Sequence, residues 1–472
     1  MIPRLERLRG LLLAAALFVL PLVFWPWARD AYSVVKDAGL AVYGLAALAL
    51  WLATGRPGLA AWPVWHRVAL GGWLAWAWLR VPGAADLGSA LLEAGAWTLG
   101  AAAAVGALGL PERDRRRALH ALLLSTVLAS VLGLAQGLFG MTFLAPYAVD
   151  QRSVTFTSER VFSTFGNPIF FAGHLIVVIP LALVAALAAG PSGPRWLARA
   201  ALGLALAALA LTASRGAVLG LAAGGVYLMS ASPALRRRTW GWAAGAALLA
   251  AVVGLLQPGL LLHLAARGDP GRVVMWKTAA RIWSRAPLLG AGTGQFGCRY
   301  PCAQLEVATP TDAGYGVNAI HAHNEYMEMG AQLGWPGLVL FAVALLGWLA
   351  LRASSLRARA AQAAVAALAA QALFSFPFHV SPTHAEAWLL PSLFLVGDES
   401  PAVARTARWA VRDLVLSGLL LVAAVLCCRP LVRSSYLQWA QAYEDARGFR
   451  PAAAYLLKAA RVLPDDAQTR LS

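Results

Sequence analysis

Residues 321–351 read HAHNEYMEMGAQLGWPGLVLFAVALLGWLAL, and this stretch decides the fold. From Pro336 to its end it carries no charged side chain, while two histidines and two glutamates crowd the segment before it. A helix that crosses a bilayer takes about 17–25 predominantly apolar residues. The stretch therefore sets a cluster of titratable groups at the edge of a membrane.

Working outward, similar apolar runs recur along the chain. Residues 11–27, 40–53, 88–110, 119–138, 169–189, 197–212 and 240–262 precede this one, with 360–376, 385–396 and 414–428 after it. Two shorter runs, 68–81 and 217–230, bring the expected number of spans to about thirteen. The composition agrees: 60% of the residues are hydrophobic, 13% are charged and the mean hydropathy is +0.64. A soluble domain carries about 25% charged residues. The expected fold class is all-α, a polytopic integral membrane protein of 12–13 transmembrane helices. Residues 1–428 would form the membrane domain, with a large outer loop at 263–335 and a helical tail at 429–472.

The net charge of +17 could point to nucleic acid, but its distribution excludes that reading. Counted from an inside amino terminus bearing Arg4, Arg7 and Arg9, nearly every return of the chain lands in a short arginine-rich loop. Arg56 and Arg67, Arg113 to Arg117, Arg195 and Arg199, Arg236 to Arg238, Arg352 to Arg359 and Arg405 to Arg412 mark these returns. This is the positive-inside pattern, in which cytoplasmic loops carry the excess of arginine and lysine. Arg29 and Lys36, in the first outer loop, are exceptions. Behind three arginines, residues 11–27 also look like a signal peptide, but Trp25-Pro26-Trp27 offers no small-residue cleavage site, so a retained first span is expected.

With this orientation, residues 140–167 and 263–333 fall outside, and so does the tail. The tail repeats alanine, aromatic and leucine residues at helical spacing on both sides of a break at 448–451. It resembles a single tetratricopeptide repeat that could bind a protein partner; an amphipathic hairpin lying on the membrane is the alternative. Cys298 and Cys302, in CRYPC, lie where a disulfide is permissible, and no further ligands are spaced for a metal.

The chemistry centres on His323. It is followed by Asn324, nine residues, and then Gly334-Trp335-Pro336-Gly337. On one continuous helix His323, Gly330, Gly334 and Gly337 would share a smooth face; alternatively Pro336 opens the spanning helix after a break. An imidazole at the membrane boundary titrates near physiological pH and can act as a general base. His321 would diverge from His323 by about 200° on a helix and reads as a surface group. Glu325 and Glu328 could orient a base or form a solvated helix face. Arg215, in TASRGAVLG, lies at the outer boundary, where an arginine calls for an anionic partner. Arg272 opens a helix with an apolar stripe of Met275, Trp276, Ala279 and Ile282, followed by the glycine turn LLGAGTGQF. Two outer arginines, a histidine and a glycine turn point to a site for a membrane-borne anion such as a phosphate, which arginine matches with paired donors. Arg281, His379 and His384 read as solvated loop groups, with lining the site as the alternative.

The chain resembles the O-antigen ligase/polymerase superfamily of bacterial membrane glycosyltransferases. The resemblance rests on His323, Asn324, Gly334 and Gly337 in order, on Ser214-Arg215 at a helix end, and on Arg272 followed by Trp276 and PLLGAGTGQF. Asn167-Pro168, in STFGNPIFFAGHL, extends it, so that it covers roughly residues 163–378. It implies a C-type glycosyltransferase fold in the bacterial inner membrane, with the active site periplasmic. The implied donor is a glycan on undecaprenyl pyrophosphate; the acceptor is a lipid A core sugar, another lipid-linked glycan or a protein side chain. His323, Arg215 and Arg272 would be catalytic. Arg215, Arg272, Asn324, Trp276, Gly292, Gly294, Gly334 and Gly337 would bind substrate. No metal, cofactor or nucleic acid is implied, since pyrophosphate is already an activated leaving group. The repeat-like tail and thirteenth span depart from the twelve-span ligase pattern. A lipid-linked-glycan flippase would share the spans and arginines, but would more typically show internal repeats in its span pattern, and none is found.

Overall fold

The structure, a computed structural model, describes residues 2–55, 58–139, 160–188, 195–230, 270–396, 420, 428–445 and 449–462. The expected span at 240–262, and that at 414–428 apart from residues 420 and 428, lie outside the described residues. Among the described residues every element is helical. The first helices are α1 (Ile2–Leu22), α2 (Ser33–Ala53), α3 (Val64–Leu79), α4 (Leu87–Gly106), α5 (Glu112–Phe139), α6 (Pro168–Leu187), α7 (Arg195–Leu211) and α8 (Arg215–Ser230). After the second polar stretch, with its short helices α9 (Pro270–Arg285) and α10 (Phe296–Gln304), come α11 (Glu325–Ala350), α12 (Leu356–Gln371) and α13 (Ser381–Pro391), the last continued by a π-helical turn at Ser392–Val396. Helices α14 (Arg429–Asp445) and α15 (Phe449–Val462) form the tail. Four of these, α2, α5, α6 and α11, are long and apolar enough by themselves to cross a membrane. The additional spans expected at 68–81 and 217–230 are both helices, α3 and α8.

Local sequence sets the helix starts. Asp86, Asn167, Asn324 and Ser355 each accept a backbone N–H in the first turn of α4, α6, α11 and α12, satisfying donors that the helix itself cannot. Pro168 stands at the first position of α6, where its missing N–H costs nothing. Small residues then let helices approach to backbone contact. A Cβ on Gly220 or Gly224 of α8 would lie 2.5 Å from the Ala367 or Ala363 carbonyl of α12. In lipid such close van der Waals contact replaces the hydrophobic effect as the force between helices. Trp73 anchors an aromatic core, with Trp97 at 5.1 Å, Phe341 at 5.2 Å and Trp388 at 5.8 Å between ring centres.

The connections sort into two ends. At one, buried Arg9 donates to Thr54 Oγ1 and to the Gly106 and Leu108 carbonyls, while Arg357 pairs with Glu112 at 2.7 Å. This ties together the amino terminus and the turns after α2, α4 and α11, all places where the sequence is rich in arginine. At the other end Arg80 donates to the Leu289 carbonyl, Asp86 N–H to Gln295, and Arg160 to the Thr212 carbonyl. The tail belongs to this second end: Arg29 N–H donates to the Ser434 carbonyl of α14. Within the tail, Tyr455 of α15 packs on Trp439 and Tyr436 of α14, with Lys458 over its ring.

Candidate active site

The residues singled out by the sequence gather at this second end, on two aromatic landmarks, Phe374 and Phe376, in the connection between α12 and α13. Arg272, in the first turn of α9, donates to the Phe374 carbonyl at 2.9 Å, and Trp276 one turn later lies 6.4 Å from the Phe374 ring. Arg215 is the first residue of α8, and the adjacent Gly216 faces the Phe374 side chain closely enough that a Cβ would lie 3.1 Å from it. A third arginine joins them. Arg160 donates to the Thr212 carbonyl at 2.8 Å, and the chain beside it is fixed by the Val161 N–H bond to Leu211. Burial lowers the Arg160 pKa to about 10, and the positive charges of Arg272 and Arg215 add to that shift. Three guanidiniums that feel one another's field form a place where an anion is stabilised.

His323 sits on the other landmark. Its backbone is left-handed, with φ of 53°, and its ring meets Phe376 edge-on at 4.8 Å. Because residues 321–323 precede α11 and are not helical, the expected 200° divergence of His321 does not arise. His321 stacks on the same Phe376 ring at 4.4 Å. Nor do His323, Gly330, Gly334 and Gly337 share one continuous helix face. The helix begins at Glu325 and breaks at Gly334, whose φ of 65° and ψ of −170° are non-helical. The break falls two residues before Pro336, which then lies in the first turn of the second segment.

Behind the two histidines lies a buried imidazole–carboxylate cluster. Glu328 accepts from His321 Nδ1 at 2.8 Å and from the Ala322 N–H at 2.8 Å. His379 lies 2.9 Å from Glu93 through Nε2, 3.2 Å from Glu325 through Nδ1, and 3.5 Å from Glu328. Burial opposes a charge on His379, yet Glu325, Glu328 and Glu93 outweigh it and raise its pKa well above the ordinary value. With a carboxylate at each nitrogen, His379 is an imidazolium that offsets the buried charge. His321, Glu328 and His379 also have ligand atoms within 4.8 Å of one another, a spacing that a cation could bridge.

The glycines have a different place. Ala291 and Gly292 N–H groups donate to the Ala331 and Gln332 carbonyls, Gly294 N–H to the Gln332 side chain, and Trp335 N–H to the Pro287 carbonyl. The turn thus takes up polar groups that the break in α11 leaves unpaired. A Cβ on Gly334 would lie 2.3 Å from the Leu288 carbonyl, one on Gly294 2.6 Å from Ser89, and Gly330 is covered by Trp283. These glycines, with buried Gly337, serve close packing of the site's frame, and Asn324 serves as the cap of α11. Arg281 is half exposed and pairs with Glu306 at 2.8 Å, and His384 is buried against Gly100. Cys298 and Cys302 are exposed free thiols.

The sequence reading missed Arg160 and Glu93, and gave His379 only as a secondary reading. A signal existed for two of them. Arg160 is an outer-loop arginine against the positive-inside bias, and Glu93 is a lone carboxylate in an apolar run.

Comparison with known proteins gives a match to the O-antigen ligase family over residues 200–342, from within α7 to within α11. No curated protein sequence matches the chain.

Proposed function

We propose that this chain, whose residues 200–342 match the O-antigen ligase family, belongs to that superfamily and is a membrane glycosyltransferase moving a glycan from undecaprenyl pyrophosphate to an acceptor hydroxyl. The observation that carries this reading is the meeting of Arg160, Arg215 and Arg272 near Phe374 with His321 and His323 on Phe376, all at one end of the helices. Basic groups aligned on a pyrophosphate offset the charge that develops as it leaves. His323 takes the proton of the acceptor hydroxyl, a role worth about 10²–10⁴-fold in rate. The acceptor oxygen forms a bond to the anomeric carbon as the bond from that carbon to the pyrophosphate oxygen breaks. Attack from the opposite face inverts the anomeric centre. Undecaprenyl pyrophosphate departs with the electron pair, and the proton passes from His323 to solvent.

The arginine-rich end tied together by Arg9 and Arg357 supports a cytoplasmic placement of that end. The site and the tail then face the periplasm of a bacterial inner membrane, as in a C-type glycosyltransferase. We favour a lipid A core sugar as acceptor. Purified protein given undecaprenyl-pyrophosphate-linked glycan and, in turn, a lipid A core, a second lipid-linked glycan and a peptide, with EDTA present, tests this. Transfer that is abolished by H323A and R215A, and not by EDTA, supports the mechanism, and the acceptor used names the subclass as ligase, polymerase or protein glycosyltransferase. Wild-type activity in both variants refutes it.

A further inference from the structure

The transferase reading gives His321 no chemical step of its own, yet its setting is that of a working imidazole. The Glu328 carboxylate is fully buried and held on its far oxygen by the Ala322 N–H, so it is a fixed acceptor. It takes the Nδ1 hydrogen of His321 at 2.8 Å. A neutral imidazole that donates through one nitrogen presents a lone pair at the other. With its Nδ1 on Glu328, the neutral imidazole of His321 presents Nε2 as a hydrogen-bond acceptor. The imidazolium of His379, 4.5 Å away between ring centres, shares Glu328 and keeps that carboxylate ionised from behind. Meanwhile the His321 side chain remains 24% exposed, and the partly exposed His323 meets the same Phe376 ring. Two imidazoles thus lie on one aromatic ring.

From this geometry we infer that His321 and Glu328 form an acceptor-binding subsite, in which His321 Nε2 accepts a hydrogen bond from a second hydroxyl of the acceptor while His323 acts on the first. The inference rests on the transferase reading and narrows it. The acceptor is a polyhydroxylated sugar with neighbouring hydroxyls, in preference to a serine or threonine side chain with one. His321 is a positioning residue, and its effect falls on acceptor binding. The spacing of His321, Glu328 and His379 would also suit a cation, but both nitrogens of His379 already face carboxylates, so the cluster closes on its own charges.

The test is steady-state transfer by the full-length protein from lipid-linked donor to a diol-bearing sugar acceptor and to its deoxy analogue lacking the neighbouring hydroxyl. His321→Ala should raise the acceptor KM about five- to tenfold, the range for losing one neutral hydrogen bond. It should act on acceptor KM more than on kcat, while His323→Ala lowers kcat. His321→Gln, whose amide oxygen reaches towards the position of Nε2, should restore part of the affinity. The deoxy acceptor should be insensitive to His321→Ala. An unchanged acceptor KM in His321→Ala, a fall in kcat like that of His323→Ala, or an equal penalty with the deoxy acceptor overturns the subsite. Cobalt(II) binding to wild type that is lost in His321→Ala overturns it as well, because it makes His321 a metal ligand. An active wild type with any of those results removes the subsite alone; a wild type that transfers to no acceptor removes the transferase reading and the subsite together.

Discussion

Substituting Gly334 by alanine is the sharpest probe of how the site is framed. Its φ of 65° and ψ of −170° lie in a region that only glycine adopts freely, and forcing a residue with a side chain there costs about 1–3 kcal/mol. The new Cβ would also lie 2.3 Å from the Leu288 carbonyl and 2.8 Å from that of Pro287, both backbone atoms that cannot rotate away. Overpacking of this kind adds about 1–3 kcal/mol. The Pro287 carbonyl is the one that accepts the Trp335 N–H, so relief of the clash would pull the glycine turn off the break in α11. We expect Gly334→Ala to lower the unfolding temperature in detergent sharply and to reduce transfer with it. Gly225→Ala in α8 is the control: no atom lies within 4 Å of its Cβ, and alanine in a helix interior gains about 0.5–1 kcal/mol. Thermal unfolding of the two variants beside wild type gives the comparison. A Gly334→Ala protein as stable and active as Gly225→Ala would refute the account of the break as a glycine-only conformation.

Other outcomes follow from single contacts. Arg160→Ala should raise donor KM about 10- to 100-fold, the scale of a charge-assisted hydrogen bond, with Arg160→Lys intermediate; an unmoved donor KM separates Arg160 from the pyrophosphate. His379 has its pKa raised in the folded protein, so its charge contributes stability in full below the ordinary histidine pKa of about 6.5 and loses it as pH rises through the raised value. The unfolding-temperature gap between wild type and His379→Gln should therefore shrink on going to alkaline pH, and a gap that widens would contradict the imidazolium. His174 and Glu386 form a fully buried pair at 2.7 Å between α6 and α13. Glu386→Leu should cost about 3–5 kcal/mol and the Glu386→Leu/His174→Leu double variant less, by chemical or thermal unfolding; a double loss equal to the sum of the Glu386→Leu and His174→Leu losses would mean that the pair is not coupled.

What could be read from the residues divides along a physical line. Apolar runs, arginine-rich returns and helix caps are local, because each depends on a few neighbours and on the solvent around them. From these alone came the helical fold with apolar spans, the helices expected at 68–81 and 217–230 and found at 64–79 and 215–230, a helix opening near Arg272 and the order of the motif. The break at Gly334 was partly legible. Pro336 announced a break, but its position depends on the Pro287–Leu288 carbonyls that pack there.

The cluster itself was beyond the sequence. Glu93 and His379 are 286 residues apart, and only the packing of α4 against the connection before α13 makes them partners. His321 looked like a surface group because helical geometry was assumed, while the actual turn places it beside His323. Arg160, likewise, gains meaning only where α7 ends beside it. The sequence by itself determined a helical chain with segments apolar enough to cross a membrane, and a motif that resembles the O-antigen ligase family, since burial in lipid is decided segment by segment. Which charged groups share a site was decided by tertiary structure, because in a low-dielectric interior a charge persists only where the fold brings its counter-charge to it.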